Sequence, residues 1–133
     1  RNMDFMSKSP ELPLADIRQW ITQELDDAKA ESIQELDIRG LTEIADWMIV
    51  ASGTSSRHVL ALASRLRAAA AKQGFKPIGV EGENNGEWVL LDFDDLIVHL
   101  MLPATRSFYD IEGLWNDRLG SRLKSARESQ ADG

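Results

Sequence analysis

The sequence contains no cysteine, only two histidines, and fewer basic than acidic residues. Without thiols the chain forms no disulfide, no thiolate zinc site and no cysteine nucleophile. His58 and His99 lie far apart and beside no strained nucleophile turn, which disfavours a hydrolytic triad and a histidine metal site. The 15 Lys and Arg residues against 22 Asp and Glu residues give a formal net charge of −7. Binding along nucleic-acid phosphates needs clustered basic side chains, so a basic protein partner suits this charge better.

Long apolar runs are also missing. No stretch approaches the roughly 20 apolar residues of a membrane span, and residues 1–9 lack the apolar core of a secretory signal. We therefore expect a cytoplasmic protein with no membrane segment and no sequence-specific nucleic-acid binding. The 133 residues, 43% of them hydrophobic, fit one domain. We place it at 12–120, between a flexible N-terminal segment, 1–11, and a flexible C-terminal tail, 121–133.

Hydrophobic spacing predicts the element order α-β-β-α-β-β-β-α. Helices are predicted over about 14–30, from the Ser-rich turn at 54–56 to near Gly74, and from Phe108 to Leu119. Strands are predicted at 33–38, 47–51, 75–80, 88–92 and 96–102. The sequence therefore predicts a single α/β domain with a mixed five-stranded sheet and flanking helices.

Three helices are too few to cover both faces of such a sheet, so we expect one face to stay open. In the strand at 96–102, alternation places His99 on the face opposite the aliphatic set that contains Val98. The face with His99 is expected to be the less buried one, and Trp88 and Asp92, which share a face of their own strand, are expected to join it.

The segment at 53–58, directly after a predicted strand, is GTSSRH. Two interpretations stay open for it. The free amides of a helix N-terminus attract anions, which would allow phosphate binding. The segment nevertheless lacks the glycine spacing and the lysine of a P-loop, and helix capping in a tight turn is the interpretation that we favour.

Two acidic clusters raise the alternative of a metal-dependent enzyme. Glu81 and Glu83 form the first cluster, and Asp92, Asp94 and Asp95 form the second. Paired carboxylates can hold Mg²⁺ or transfer protons, and a divergent nucleotidyltransferase would use the aspartates with a metal. No Asp-x-Asp follows the Gly-Ser turn on a strand, and carboxylates are common in turns. We therefore predict no catalytic residue, no metal and no other cofactor.

The predicted last helix carries Arg106, Tyr109 and Trp115. Arg, Tyr and Trp are the residue types that most often anchor protein interfaces. They also serve as ordinary packing residues, and Trp115 is expected to face the core. Both interpretations stay open on the residues alone.

Together these motifs resemble those of the ribosomal silencing factor (RsfS/Iojap) family. The matching pieces are DWMIV at 46–50, GTSSRH at 53–58, GVEGE at 79–83 with Trp88 five residues on, IVH at 97–99, and R-x-x-Y-x-x-E-x-x-W at 106–115. Each piece is weak alone, but their order and spacing over about 12–118 are specific.

The resemblance implies a nucleotidyltransferase-like fold without enzyme activity. Such a protein would bind the large-subunit ribosomal protein uL14 on the joining face, block the small subunit sterically and repress translation. Some members of the family act in large-subunit assembly, and homodimers occur among them, so an exposed sheet that serves only as a dimer interface is a further alternative. The candidate partner-binding residues are Glu81, Glu83, Trp88, Asp92, His99, Arg106, Tyr109 and Trp115.

One position departs from the family pattern. Family members usually carry Gly where this chain has Asp94. Gly suits a turn with positive φ, and Asp is among the better substitutes for it. We expect the turn to survive, with one added negative charge near the docking surface.

Overall fold

The structure of the protein, a computed structural model, describes residues 14–115. Its helices are α1 (Leu14–Asp27), α2 (Ser56–Lys72), α3 (Pro103–Tyr109) and the short α4 (Ile111–Gly113). Its strands are β1 (Glu31–Asp37), β2 (Trp47–Ser52), β3 (Gly79–Glu81), β4 (Trp88–Asp92) and β5 (Leu96–Met101). The flexible segments predicted at 1–11 and 121–133, and Leu119 of the predicted last helix, lie outside the described residues.

The five strands form one mixed sheet in the order β1-β2-β5-β4-β3. β2 and β5 are parallel, and the other neighbouring pairs are antiparallel. The predicted fold class, a single α/β domain with a mixed five-stranded sheet, is therefore confirmed. No helix among the described residues is both long and apolar enough to span a membrane.

Local hydrogen bonds explain why α2 starts where it does. Ser55 is the N-cap in an extended conformation, and its hydroxyl accepts from the backbone N–H of His58 at 3.1 Å. The His58 ring accepts at Nδ1 from the backbone N–H of Thr54 at 2.9 Å, and its Nε2 donates to the carbonyl of Ala28 at 2.9 Å. The capping interpretation of the GTSSRH segment is confirmed.

The main core lies between α1, α2 and one face of the sheet. This face contributes the aliphatic set predicted for β5, including Val98, and the helices contribute residues such as Ile21 and Leu66. The fully buried members of this core are Ile21, Leu25, Ile49, Ala51, Val59, Leu62, Ala63, Leu66, Val89, Leu91, Leu96, Val98 and Leu100. Their burial supplies most of the hydrophobic stabilisation.

The other sheet face is less open than expected. His99 is 5% exposed and Met101 is fully buried, so the expectation that this face stays uncovered along β5 was wrong. The chain turns back immediately after β5 into α3 and α4, and Ile111 packs with Met101 in a second apolar cluster. In β4 the residues of this face are half-buried, as Trp88 and Asp92 show, and in the edge strand β3 Glu81 is exposed.

Three predicted elements differ from the structure by more than two residues at one end. α1 ends at Asp27, before Lys29 with its positive φ of 69°. β3 forms only from Gly79, because the N–H of Phe75 still bonds back to the α2 carbonyl of Ala70 and Pro77 has no N–H to give to a sheet.

The predicted single last helix is wrong as well. α3 begins at Pro103, where the missing N–H of proline costs nothing at the first helical position. It ends at Tyr109, because Asp110 takes the left-handed conformation before α4 starts.

The turn between β4 and β5 keeps its conformation with Asp94 in place of the Gly that is usual in the family, as expected. Asp94 has a φ of 76°, and its N–H donates to the Asp92 carboxylate at 2.8 Å, so the turn survives without Gly. The pKa of the neighbouring Asp95 is raised above its ordinary value, first by burial and then by the negative charges of Asp94 and Asp46.

Two glycines with nearly equal φ allow a matched test of the β3–β4 turn. Gly82 and Gly40 have φ of 89° and 81°. A Cβ at Gly82 would collide with the carbonyl oxygen of Trp88, whereas one at Gly40 would meet no heavy atom within 4 Å among the described residues. We expect Gly40→Ala to lower the free energy of unfolding by roughly 1–2 kcal/mol. Gly82→Ala should cost about 1–3 kcal/mol more, measured by urea denaturation. Equal losses would mean that the β4 backbone yields freely.

Candidate functional site

Five of the predicted site residues meet on the second sheet face, near the carboxyl ends of β2 and β5. The β4–β5 register places Trp88 opposite Met101 and His99 opposite Leu90, so Trp88 and His99 share this face. α3 and α4 then bring Arg106, Tyr109 and Trp115 to the same region, with Trp115 half-buried against the second apolar cluster.

Three aromatic side chains form a continuous cluster at this place. The ring centroids of Trp88 and Tyr109 are 4.8 Å apart, and those of Tyr109 and Phe108 are 4.9 Å apart in an edge-to-face arrangement. Phe108 is 79% exposed and Tyr109 is 53% exposed, while Trp88 is half-buried. We call these three residues the aromatic surface. Apolar rings held in contact with one another and with solvent are typical of a binding site.

His99 supports the aromatic surface from beneath. The indole Nε1 of Trp88 donates a hydrogen bond to Nδ1 of His99 at 2.9 Å. Burial of the imidazole lowers the pKa of His99 to about 4, and the nearby Glu112 carboxylate opposes this shift only partly. At neutral pH the ring is therefore uncharged and accepts the indole proton, which fixes the orientation of Trp88.

A buried charged network lies behind the same surface. Nε and NH2 of Arg106 donate to one carboxylate oxygen of Glu112 at 2.8 and 2.7 Å, and NH1 donates to the hydroxyl of Ser52 at 2.9 Å. Arg106 is only 9% exposed. Arg106 therefore connects β2, α3 and α4 and is a structural neighbour of the surface rather than an exposed anchor.

The predicted acidic residues are not brought together. Glu81 is exposed and lies opposite Leu90 in the β3–β4 register, so it shares the face of Trp88. Glu83 instead binds Arg67 of α2 at 2.8 Å, on the helix-covered side. Asp92 lies at the far end of β4, where its carboxylate accepts from the turn.

Sequence reasoning did not select Ser52, Phe108 or Glu112 as site residues. Phe108 matches the helical spacing predicted for buried positions, yet it lies on the exposed side of α3. Glu112 is six positions from Arg106, a spacing that pairs no side chains within one regular helix. The Arg and Glu of the family motif were the one available signal for that pair.

Within residues 14–115 no group of three His, Asp or Glu side chains lies close enough to hold a metal ion. A cleft of about 670 Å³ lies elsewhere, between α2 and β3, with Arg67, Lys76 and Glu83 among its lining residues. The described residues thus form a small α/β domain with an exposed aromatic surface.

Comparisons with known proteins identify the family. The family model described as "Ribosomal silencing factor during starvation" matches residues 12–133. The chain therefore belongs to the RsfS family, as its motifs predicted.

Relatives and a solved structure agree with this assignment. "Ribosomal silencing factor RsfS" of Chromobacterium violaceum is 43% identical over 104 residues, covering 78% of this chain and 85% of that protein. "Protein Iojap, chloroplastic" of Arabidopsis thaliana is 33% identical over 104 residues, covering 78% of this chain and 43% of that protein. A crystal structure of a Chromobacterium violaceum protein, 43% identical, superposes with a TM-score of 0.76 over 78% of this chain and 87% of that chain.

The depressed pKa of His99 predicts how stability depends on pH. Between pH 6.5 and 4 the unfolded chain binds a proton at His99 that the folded chain does not bind. The stability that the neutral His99 contributes is therefore fully present above pH 6.5. As the pH falls towards 4, the free energy of unfolding decreases by roughly 3 kcal/mol relative to a protein without this group. His99→Asn, which keeps an acceptor for Trp88 but does not titrate in this range, should flatten the pH dependence.

Urea denaturation of both proteins at several pH values from 7.5 to 4.5 measures the difference. The carboxylates titrate in both proteins, so only the wild-type minus variant difference reports on His99. A difference that stays constant across this range would contradict the buried neutral imidazole.

Proposed function

We propose that this protein is a ribosomal silencing factor that binds the large ribosomal subunit through its aromatic surface. Bound to uL14 on the joining face, it prevents the small subunit from docking and so represses translation, in the cytoplasm. Occupancy of a surface is sufficient for this action, and no chemical step is required. The observation that carries the proposal is the exposed cluster of Phe108 and Tyr109 against Trp88, in a chain of the RsfS family.

The arrangement of the rings favours tight binding. Aromatic side chains supply large contact areas and dominate the energy of many protein interfaces. Tyr109 is held between Trp88 and Phe108, and Trp88 is held by His99, so little conformational freedom remains to be lost on docking. Such preorganisation lowers the entropic cost of association.

Charge supports a basic protein partner. Glu81 stands exposed at the β3 edge of the face, where it can meet a cationic side chain of the partner. The carboxylate of Glu83 is already paired with Arg67, so Glu83 contributes mainly to the overall field. The net charge of −7 would accelerate encounter with a basic patch of the ribosome, and high salt would slow it.

Two alternatives make different predictions. A divergent nucleotidyltransferase would need Asp92, Asp94 or Asp95 for a metal, and it would show a thermal shift with nucleotide and Mg²⁺ together with turnover. A homodimeric scaffold would hold the aromatic surface in its own dimer interface. The mass of the protein in solution, with and without large subunits, separates the scaffold from the silencing factor.

The role of the aromatic surface in binding can be tested by comparing exposed apolar residues at the two ends of the sheet. Phe108→Ala and Tyr109→Ala should each weaken binding to purified large subunits about tenfold, because they remove anchor area with little effect on the core. Ile44→Ala is the matched control, since Ile44 is 70% exposed but precedes β2 at the other end of the sheet. Co-sedimentation in sucrose gradients gives the affinity.

The same samples test subunit joining. Wild-type protein and Ile44→Ala should prevent large and small subunits from forming full ribosomes, and the two surface variants should allow it. Wild-type binding by Phe108→Ala and Tyr109→Ala would place the docking surface elsewhere. Large-subunit binding that leaves joining unaffected would instead favour a role in subunit assembly.

A further inference from the structure

A single residue, Asp110, separates α3 from α4 and lies directly after Tyr109 of the aromatic surface. α3 ends at Tyr109, and Asp110 takes the left-handed conformation with φ 48° and ψ 55°. The Asp110 carboxylate accepts from the N–H of Gly113 at 3.2 Å and so caps α4. A residue has two soft dihedral angles, so a small rotation at Asp110 redirects α4 relative to α3.

The ion pair of Arg106 and Glu112 spans this bend. Arg106 belongs to α3 and Glu112 to α4, and two nitrogens of the guanidinium bind the same carboxylate oxygen at 2.8 and 2.7 Å. The third nitrogen donates to Ser52 at the end of β2. A planar guanidinium with all three nitrogens engaged fixes the relative directions of β2, α3 and α4.

Stability alone does not account for this pair. Removing two charges from water costs several kcal/mol, and apolar residues of similar volume often replace a buried ion pair with no loss of stability. The side chains of Arg106 and Glu112 are only 10% and 20% exposed. An apolar pair at these two positions would lack the directional hydrogen bonds that join α3 to α4 across Asp110.

We propose that Arg106 and Glu112 are positioning residues of the aromatic surface. Their ion pair holds the bend at Asp110 in one geometry and thereby holds Tyr109, the residue before the bend, against Trp88. This inference rests on the proposed function in one respect, namely that the aromatic surface is what binds the large subunit. Neither residue needs to touch the partner.

The experiment compares two variants with a matched control. Arg106→Lys keeps the charge but cannot hold Ser52 and Glu112 in one plane, and the double variant Arg106→Met with Glu112→Leu removes both charges. The control is Arg65→Met with Glu24→Leu, which removes a more exposed Arg–Glu pair of 2.9 Å between α2 and α1.

Three quantities are measured for each full-length protein. Urea denaturation gives stability, and sedimentation with purified large subunits gives affinity. The third is the NMR signal of the Tyr109 ring, which is unambiguous because the chain contains a single tyrosine. The indole of Trp88, 4.8 Å away, shifts this signal from its free value.

The proposal expects both Arg106 variants to move the Tyr109 signal towards its free value and to weaken binding about tenfold. The double variant should retain the stability of the control, and the control should keep the wild-type signal and affinity. An unchanged Tyr109 signal in folded Arg106→Lys would overturn the positioning role, and this variant decides alone if the double variant does not fold. If wild-type protein does not sediment with large subunits, the proposed function fails, while the Tyr109 signal still tests the positioning.

Discussion

The parallel pairing of β2 with β5 is the constraint on which the rest of the site depends. Its register sets Ser52 beside Met101, so both strands end at the same level of the sheet. α3 starts two residues after β5, and one helical turn later Arg106 reaches the hydroxyl of Ser52. A shift of this register by one residue would turn the Ser52 side chain to the opposite face relative to β5 and α3, away from Arg106.

The polar groups behind the aromatic surface illustrate how a buried site can be both charged and stable. His99 is kept neutral by burial and accepts from Trp88, so no charge is left without a partner there. Arg106 keeps its charge, but every nitrogen of its guanidinium donates to Glu112 or Ser52. The neutral imidazole and the paired guanidinium solve the same desolvation problem in different ways, and both restrict the motion of the rings above them.

Local patterns predicted the fold well where one element could be judged on its own. β4 was predicted at 88–92 and is found there, because an apolar run of strand length follows the Asn84–Gly86 turn. The last helix was predicted wrongly, since a left-handed residue at Asp110 leaves no trace in hydrophobic spacing. Several features of the site were not predicted either, because they depend on tertiary contacts. The pairing of Glu83 with Arg67 and the burial of His99 depend on how separate elements pack, which spacing along one strand or helix does not contain.

The turn before α2 uses backbone N–H groups for internal hydrogen bonds, which disfavours phosphate binding at this turn. Anion binding at a helix N-terminus requires backbone N–H groups that still point outward. Here the N–H of Thr54 donates to the His58 ring, and the N–H of His58 donates to Ser55. The other nitrogen of the ring binds the carbonyl of Ala28 after α1, which draws the turn inward. Two of the amides that an anion would need are thus bonded within the turn, and the His58 ring attaches this turn to the residue after α1. The same end of the parallel strands carries the exposed rings of the aromatic surface, which suits recognition of another macromolecule.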